Sequence, residues 1–349
     1  MLNGKNILIT GGTGSFGKKM VQIVLTQYKP KKLVIFSRDE LKQFEMAQKW
    51  NPAEYLCLEY VLGDVRDKDR LMGVFEGMDY IIHAAALKQV PAAERNPEEY
   101  IKTNVIGAMN IIDAALHNKV QKVVALSTDK ACNPINLYGA TKLCSDKLFV
   151  AENNGNESNP NRTKFAVVRY GNVLGSRGSV IPFFKERAKT GVLPITDANM
   201  TRFWITLDQA VYFVLMALER SKGGEIFIPR IPSMKITDLA KAIAPKCKLE
   251  VVGIRPGEKV NETLLSEDEA RNAVLFKECF IVQPNAAMRT QLTSGKGKEK
   301  GKLCPEDFRY TSDSNDQWMT VAELKVLVDK IADDYSIELS RWAMKDVPE

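Results

Sequence analysis

KNILITGGTGSFG, residues 5–17, decides the fold. Lys5–Thr10 is an apolar run of the kind that forms a buried strand. Gly11, Gly14 and Gly17 follow at G-x-x-G-x-x-G spacing, and a helical pattern runs from Phe16 to about Gln27. Glycines allow a tight turn and close backbone approach, and a helix N-terminus offers unpaired N–H groups to a pyrophosphate. A structural tight turn would use the same glycines, but their place between strand and helix points to a dinucleotide. Gly11, Thr13, Gly14, Ser15, Phe16 and Gly17 are therefore the candidate cradle.

The same rhythm continues outward. Strands are expected at Lys32–Phe36, around Tyr55–Val61, at Tyr80–His83, at Lys122–Leu126 running into Ser127 and Thr128, and at Phe165–Arg169. Helices are expected over Pro97–Asn118 and from Tyr138 to about Glu152. Strand–helix alternation predicts an α/β fold, a Rossmann-type doubly wound parallel sheet whose strand C-termini share one edge. After Gly171 the rhythm loosens. Helices are expected at about 178–190, 207–220 and 237–244, with strands at Leu193–Ile195, Glu225–Ile228 and Leu249–Gly253. Residues 284–318 read as irregular, and Thr320 with Glu323 as the capping box of a last helix. The division is a dinucleotide-binding domain over 1–171, joined by returning segments of the C-terminal half, and a smaller α/β domain over 172–349.

Each candidate motif follows a strand. After the second come Ser37, Arg38, Asp39 and Lys42. A hydroxyl with a guanidinium suits a ribose 2′-phosphate, whereas an acid suits the 2′-hydroxyl, so NADP is favoured while Asp39 keeps NAD open. Asp64 and Val65, after the third strand, can frame the adenine, although Asp64 also reads as an exposed turn acid. Ala84, Ala85 and Ala86 follow the fourth strand. The fifth delivers STDKACNPINLYGATK, residues 127–142. In a helix Tyr138 and Lys142 share a face, and an ammonium near a phenol is expected to draw its pKa toward neutrality. Such a Tyr can take the proton of a sugar hydroxyl while hydride leaves the same carbon. Tyr28 and Lys32 share the spacing at a helix end broken by Pro30 and read as solvent-exposed, so the spacing alone proves little.

Composition excludes several classes. The chain has 349 residues, 45% hydrophobic and 26% charged, in the range of ordinary globular proteins. No apolar run approaches a membrane span, and no signal peptide is expected, which places the protein in the cytoplasm. Six scattered cysteines and two histidines argue against a metal site or a disulfide framework. His83 reads as a packed, hydrogen-bonded residue. The net charge of +6 is spread along the chain without a basic stripe, which suits an anionic small molecule better than nucleic acid.

These motifs, with SRDELKQ, GDVRD, HAAALK, RYGNV, SRGSVIPFF, MTRFWIT and RPGEK, resemble the extended short-chain dehydrogenase/reductase superfamily. Within it the chain is similar to the inverting UDP-N-acetylglucosamine 4,6-dehydratases of pseudaminic acid synthesis. The resemblance runs from about Lys5 to Glu258 and weakens beyond. It implies NADP, UDP-N-acetylglucosamine and a soluble homo-oligomer, hexameric or dimeric. It also implies Thr128, Tyr138 and Lys142 for oxidation at C4, with Asp129 as acid toward C6 and Lys130 as base at C5. C5-retaining relatives carry Asp-Glu where this chain has Asp129–Lys130, which is the ground for inversion. The assignment demands a protonated Asp and a neutral Lys; a plain ion pair at a strand end would use the same two residues. Lys88 is implied at substrate or cofactor, and Asn172, Arg177, Arg202, Arg255 and Glu258 at the nucleotide end. Other readings are a C5-retaining dehydratase or 4-epimerase on the same scaffold, or an NADP-binding regulator without catalysis.

Overall fold

Alternating apolar runs and amphipathic stretches fold into sheet and covering helices in the computed structural model, which describes residues 1–153, 162–175, 180–293 and 300–330. Strands β1 (Asn6–Thr10), β2 (Lys32–Ser37), β3 (Leu58–Leu62), β4 (Tyr80–His83), β5 (Lys122–Thr128) and β6 (Lys164–Tyr170) lie parallel in the order β3-β2-β1-β4-β5-β6. Ile7, Leu8, Ile9, Val123 and Val124 are fully buried, as expected of strands covered on both faces. The register pairs Thr10 with Phe36 and with His83, so the C-terminal ends of these strands align. Strand order reverses between β1 and β4, and such a switch point opens a crevice at that edge.

The sheet does not end at β6. Glu225–Pro229 adds a parallel strand, and Cys279–Val282, Ala273–Leu275 and Lys302–Leu303 add antiparallel ones, giving ten. The first compact unit accordingly comprises Met1–Gly171, Leu207–Arg230 and Thr263–Thr311. Three expectations are corrected here. The third strand begins at Leu58, because Asn51 turns the chain by accepting from the N–H groups of Glu54 and Tyr55. The segment 284–318 contains a helix, Ala286–Thr293, and short strands at Lys302–Leu303 and Tyr310–Thr311. The long helix after Pro97 is interrupted by a wider π-turn at Ile101–Ile106 before continuing as Gly107–His117.

The second unit takes Asn172–Thr206, Ile231–Glu262 and the chain from Ser312. Thr201–Ile205 is its central strand, between Asn172–Val173 and Ser233–Lys235, and Val192–Ile195 pairs with Lys248–Val251. Phe184, Leu193, Trp204, Leu239 and Leu324 form its core. Thr320 and Glu323 cap the helix that follows reciprocally, each side chain serving the other's backbone N–H. No described helix is long and apolar enough to cross a membrane.

Candidate active site

The glycine turn between β1 and the helix Ser15–Gln27 is shaped by two steric demands. Gly11 has φ +66°, and a Cβ there would lie 2.8 Å from the backbone of Ala85, just past β4. A Cβ on Gly17 would lie 2.2 Å from the Gly12 carbonyl oxygen, so the helix packs onto the turn only with glycine. Gly14 caps the helix without any side-chain hydrogen bond. Thr13 is buried, Ser15 and Phe16 are half-buried, and Thr10 ties the turn to Ala84 and Ala85 by its carbonyl and hydroxyl. A glycine turn leading into a helix N-terminus fits a dinucleotide pyrophosphate.

At the end of β2 the four candidates are not equivalent. The Ser37 hydroxyl is buried against Gln43 Nε2 at 3.1 Å. Asp39 caps the helix Glu40–Lys49 through the N–H of Lys42 and also holds the Lys42 ammonium. Arg38 is exposed, 3.7 Å from Asp64. Asp64 is held mainly by Arg66, at 2.7 Å, which with Arg38 keeps its carboxyl below the usual range against the opposing effect of burial. Val65 is buried, its carbonyl bonded by Asn110.

The loop after β5 brings the catalytic candidates together. Asp129–Ala131 makes a single tight helical turn, Asn133 adopts φ +48°, and Asn136 caps the helix Leu137–Ala151 by accepting from Gly139 N–H at 2.8 Å. A Cβ on Gly139 would sit 2.1 Å from the Lys130 carbonyl oxygen, so the first turn of this helix rests directly on the Asp129–Lys130 backbone. Thr128 Oγ1 donates to Asp129 Oδ1 at 2.9 Å, and its hydroxyl acts to lower the pKa of the Tyr138 phenol. Lys130 Nζ lies 3.1 Å from the same Oδ1. Asp129 is 1% exposed, and its Oδ2 has no partner.

Tyr138 is packed by Ala93 and Tyr100. Burial pushes its phenol up to about 12, against the pull of Lys130 and the Thr128 hydroxyl. The expectation that Lys142 draws this phenol toward neutrality is therefore corrected. Lys142 is itself buried, which lowers its pKa, and its ammonium lies 3.5 Å from Ser145 Oγ with Asp146 one turn on. His83 is neutral, pushed down to about 3 by burial and then by Lys142, with Nδ1 2.8 Å from Thr10 Oγ1. Lys88 is exposed. Of the other Tyr/Lys pair, Tyr28 and Lys32 are half-buried and Lys32 is paired with Glu59, so the exposed reading is too simple.

Several supporting residues carry no sequence motif of their own. Asn104, in the π-turn, clamps Leu87 by both its N–H and C=O at 2.9 Å and reaches Thr141. Glu94 accepts from the Leu137 N–H at 2.8 Å, at the start of the Tyr138 helix. Asp146, on that helix, and Arg169, on β6, are buried and paired with each other. In sequence Asp146 lies four residues beyond Lys142, and Arg169 opens RYGNV.

In the second unit, Arg202 is a correction. Its guanidinium donates to the carbonyls of Thr201, Lys259 and Val260 and faces Glu258 and Glu262, so it is a buried clamp and not an open fork. Arg255 is exposed, with Nε 3.3 Å from Glu258, across a turn closed by Glu258 N–H to the Arg255 carbonyl, with Gly257 at φ +77°. Asn172 is exposed on its short strand. Arg177 lies outside the described residues.

The polysaccharide biosynthesis protein model matches residues 7–284. The chain belongs to this family. It is 54% identical over 331 residues to the inverting UDP-N-acetylglucosamine 4,6-dehydratase of Campylobacter jejuni strain 81-176, covering 93% of this chain and 97% of the relative. It is 44% identical over 286 residues to the UDP-glucose 4-epimerase of Rickettsia conorii, covering 80% and 82%. The crystal structure of Pen from Bacillus thuringiensis superposes with a TM-score of 0.84 at 37% identity, covering 95% and 98%. The dTDP-glucose 4,6-dehydratase DesIV of Streptomyces venezuelae, solved with NAD bound, shares the fold at a TM-score of 0.64 and 21% identity, covering 73% and 86%.

Proposed function

We propose that this chain is an inverting UDP-N-acetylglucosamine 4,6-dehydratase working with NADP, whose product is UDP-2-acetamido-2,6-dideoxy-β-L-arabino-hex-4-ulose. The observation that carries the reading is the Asp129–Lys130 pair. A buried carboxyl, one oxygen of which has no partner among the described residues, and an adjacent amine lie near enough to the Tyr138 phenol to act on its ionisation, as does Thr128. An alcohol oxidation needs only the phenol; the extra acid and base serve the removal of water. The 54% identical dehydratase supports the same substrate, and the epimerases, at 44%, are more distant.

The glycine turn, Ala84–Ala86, Asp64 and Val65 would hold the dinucleotide, with Ser37, Arg38 and Lys42 at the adenosine ribose. Exposed Arg38 is the group available to a 2′-phosphate, and Asp39 is committed to its helix cap, which supports NADP over NAD. When bound, the dinucleotide accepts hydride from C4 and returns it to C6. Tyr138, once ionised, takes the proton of the 4-hydroxyl; Lys130 and the Thr128 hydroxyl favour that ionisation against the effect of burial. The C4 ketone acidifies the C5 hydrogen, which unprotonated Lys130 removes. Asp129 gives a proton to the 6-hydroxyl as the C6–O bond breaks and water leaves. C5 is reprotonated from the face opposite Lys130, and because the hydride taken from C4 goes back to C6 the net redox is zero. In the second unit, exposed Arg255, with Glu258 paired beside it, would meet the nucleotide.

Incubation with UDP-N-acetylglucosamine in heavy water, followed by NMR, tests this. The expected product is a 4-keto-6-deoxy sugar of L-arabino configuration with deuterium at C5. In Lys130→Met, reduced nicotinamide is expected to accumulate while product formation falls by roughly 10²–10⁴-fold, the range for loss of a general base. Unchanged sugar, or the C4 epimer, from the wild-type protein would overturn the assignment.

A further inference from the structure

Under the Tyr138 helix lies a row of buried charges of alternating sign. Lys142 and Asp146 occupy one face of the helix, one turn apart, and are 3% and 1% exposed. Asp146 Oδ2 accepts from Ser127 Oγ at 2.7 Å and from Arg169 at 3.3 Å. Arg169, fully buried on β6, makes a two-pronged pair with Glu269 at 2.7 and 3.0 Å. A buried charge persists only when it is paired and hydrogen-bonded. Among the described residues Lys142 has no carboxylate in contact, and its one hydrogen bond there is to Ser145 Oγ. Its other ionisable neighbours give it no negative charge. His83, from β4, is neutral, and burial opposes ionisation of the phenols of Tyr138, on its own helix, and Tyr170, on β6.

We propose that Asp146, held by Ser127 and Arg169, is the positioning residue that keeps Lys142 an ammonium. Burial alone drives Lys142 toward the neutral amine and Asp146 toward the neutral acid. Arg169 and Ser127 oppose the second tendency, and ionised Asp146 opposes the first. Glu269 plays a different part. It neutralises Arg169 and also receives Cys132 and the Ser266 cap, so it holds the segment after Thr263 against the sheet. Losing Glu269 leaves Asp146 paired with Arg169, and Lys142 keeps its counter-charge. Two acids on one arginine thus have separable roles.

This rests on the reading of Tyr138 and Lys142 as the oxidising pair, and its test has an arm that needs no turnover. The lysine side chains are titrated by NMR in isotope-labelled, cofactor-loaded protein, with Lys142 assigned by its loss in Lys142→Met. In Asp146→Asn the Lys142 titration is expected to move to lower pH by roughly one unit or more. The alkaline limb of kcat should move with it, and single-turnover reduction of nicotinamide should fall roughly 10–100-fold. Glu269→Gln is expected to lower the melting temperature while leaving the Lys142 titration and the alkaline limb in place. Should Asp146→Asn not fold, Ser127→Ala removes one of the hydrogen bonds holding the Asp146 charge and should shift Lys142 the same way by a smaller amount. A Lys142 titration that moves equally in Asp146→Asn and Glu269→Gln, or in none of the three variants, overturns the proposal. Shifted titrations in a wild-type background that consumes no sugar would instead overturn the assigned reaction and leave this inference standing.

Discussion

His83 shows how one residue's burial becomes a property of the protein. It sits at the end of β4 with its ring against Phe149 and its Nδ1 on Thr10. Its folded pKa, about 3, lies below the unfolded value near 6.5, so the native state binds fewer protons at this site. Stability from this group is therefore fully present above about pH 6.5 and falls as pH drops toward 3. Between pH 6.5 and 5 the loss amounts to about 1.5 kcal/mol. His83→Asn keeps a partner for Thr10 and lacks the titration. Subtracting its urea-unfolding stability from that of the wild type should recover this slope. Asp146 and Glu225, whose carboxyls burial pushes up, titrate in both proteins and cancel. Identical slopes would mean that His83 is protonated in the fold. A packed histidine was legible in the sequence because an apolar run surrounded it. The direction in which Lys142 acts was not, since i,i+4 spacing fixes a face of the helix but not the bend of a long side chain toward Ser145.

Among elements, the catalytic helix owes its position to contacts that spacing does not encode. Its first turn rests on the Lys130 carbonyl, and only hydrogen at Gly139 permits that approach. Gly139→Ala is expected to push the Asp129–Lys130 turn away and to lower kcat by at least about tenfold, the effect of a small displacement of reacting groups. Gly73, inside the helix Lys68–Val74, has nothing within 4 Å of its absent Cβ. Gly73→Ala should raise stability by up to about 1 kcal/mol without touching kcat, which separates helix propensity from site geometry. Steady-state rates and melting curves on the two variants check both statements; an active Gly139→Ala enzyme would remove the packing argument. The six N-terminal parallel strands were legible because continuous apolar runs between turn signals mark buried strands. The π-turn was not, because Ile101–Ile106 keeps an ordinary helical pattern, and the widening arises from Asn104 reaching the backbone of Leu87.

For the whole molecule, the chain order and the spatial order part company after Gly171. Segments 207–230 and 263–311 return to the first unit, and the second of these supplies three strands and the acid that satisfies Arg169. Sequence periodicity is weak there because Ala273–Leu275 and Lys302–Leu303 are too short to show a pattern, and their pairing with Cys279–Val282 is set by tertiary contacts. Their removal has a definite consequence. A chain ending at Glu262 would leave Glu225–Pro229 as an open apolar edge and Arg169 without the two-pronged half of its pairing. Open hydrophobic edges template aggregation, and breaking a buried ion pair costs about 3–5 kcal/mol, a large part of the total stability of about 5–15 kcal/mol. The 1–262 chain is therefore expected to be insoluble on expression, or to bind no dinucleotide by fluorescence titration, although it retains the whole glycine turn, Tyr138 and Lys142. A soluble 1–262 chain that binds NADP as tightly as the full chain would show that the parallel strands stand alone and that the returning segment serves the second unit instead.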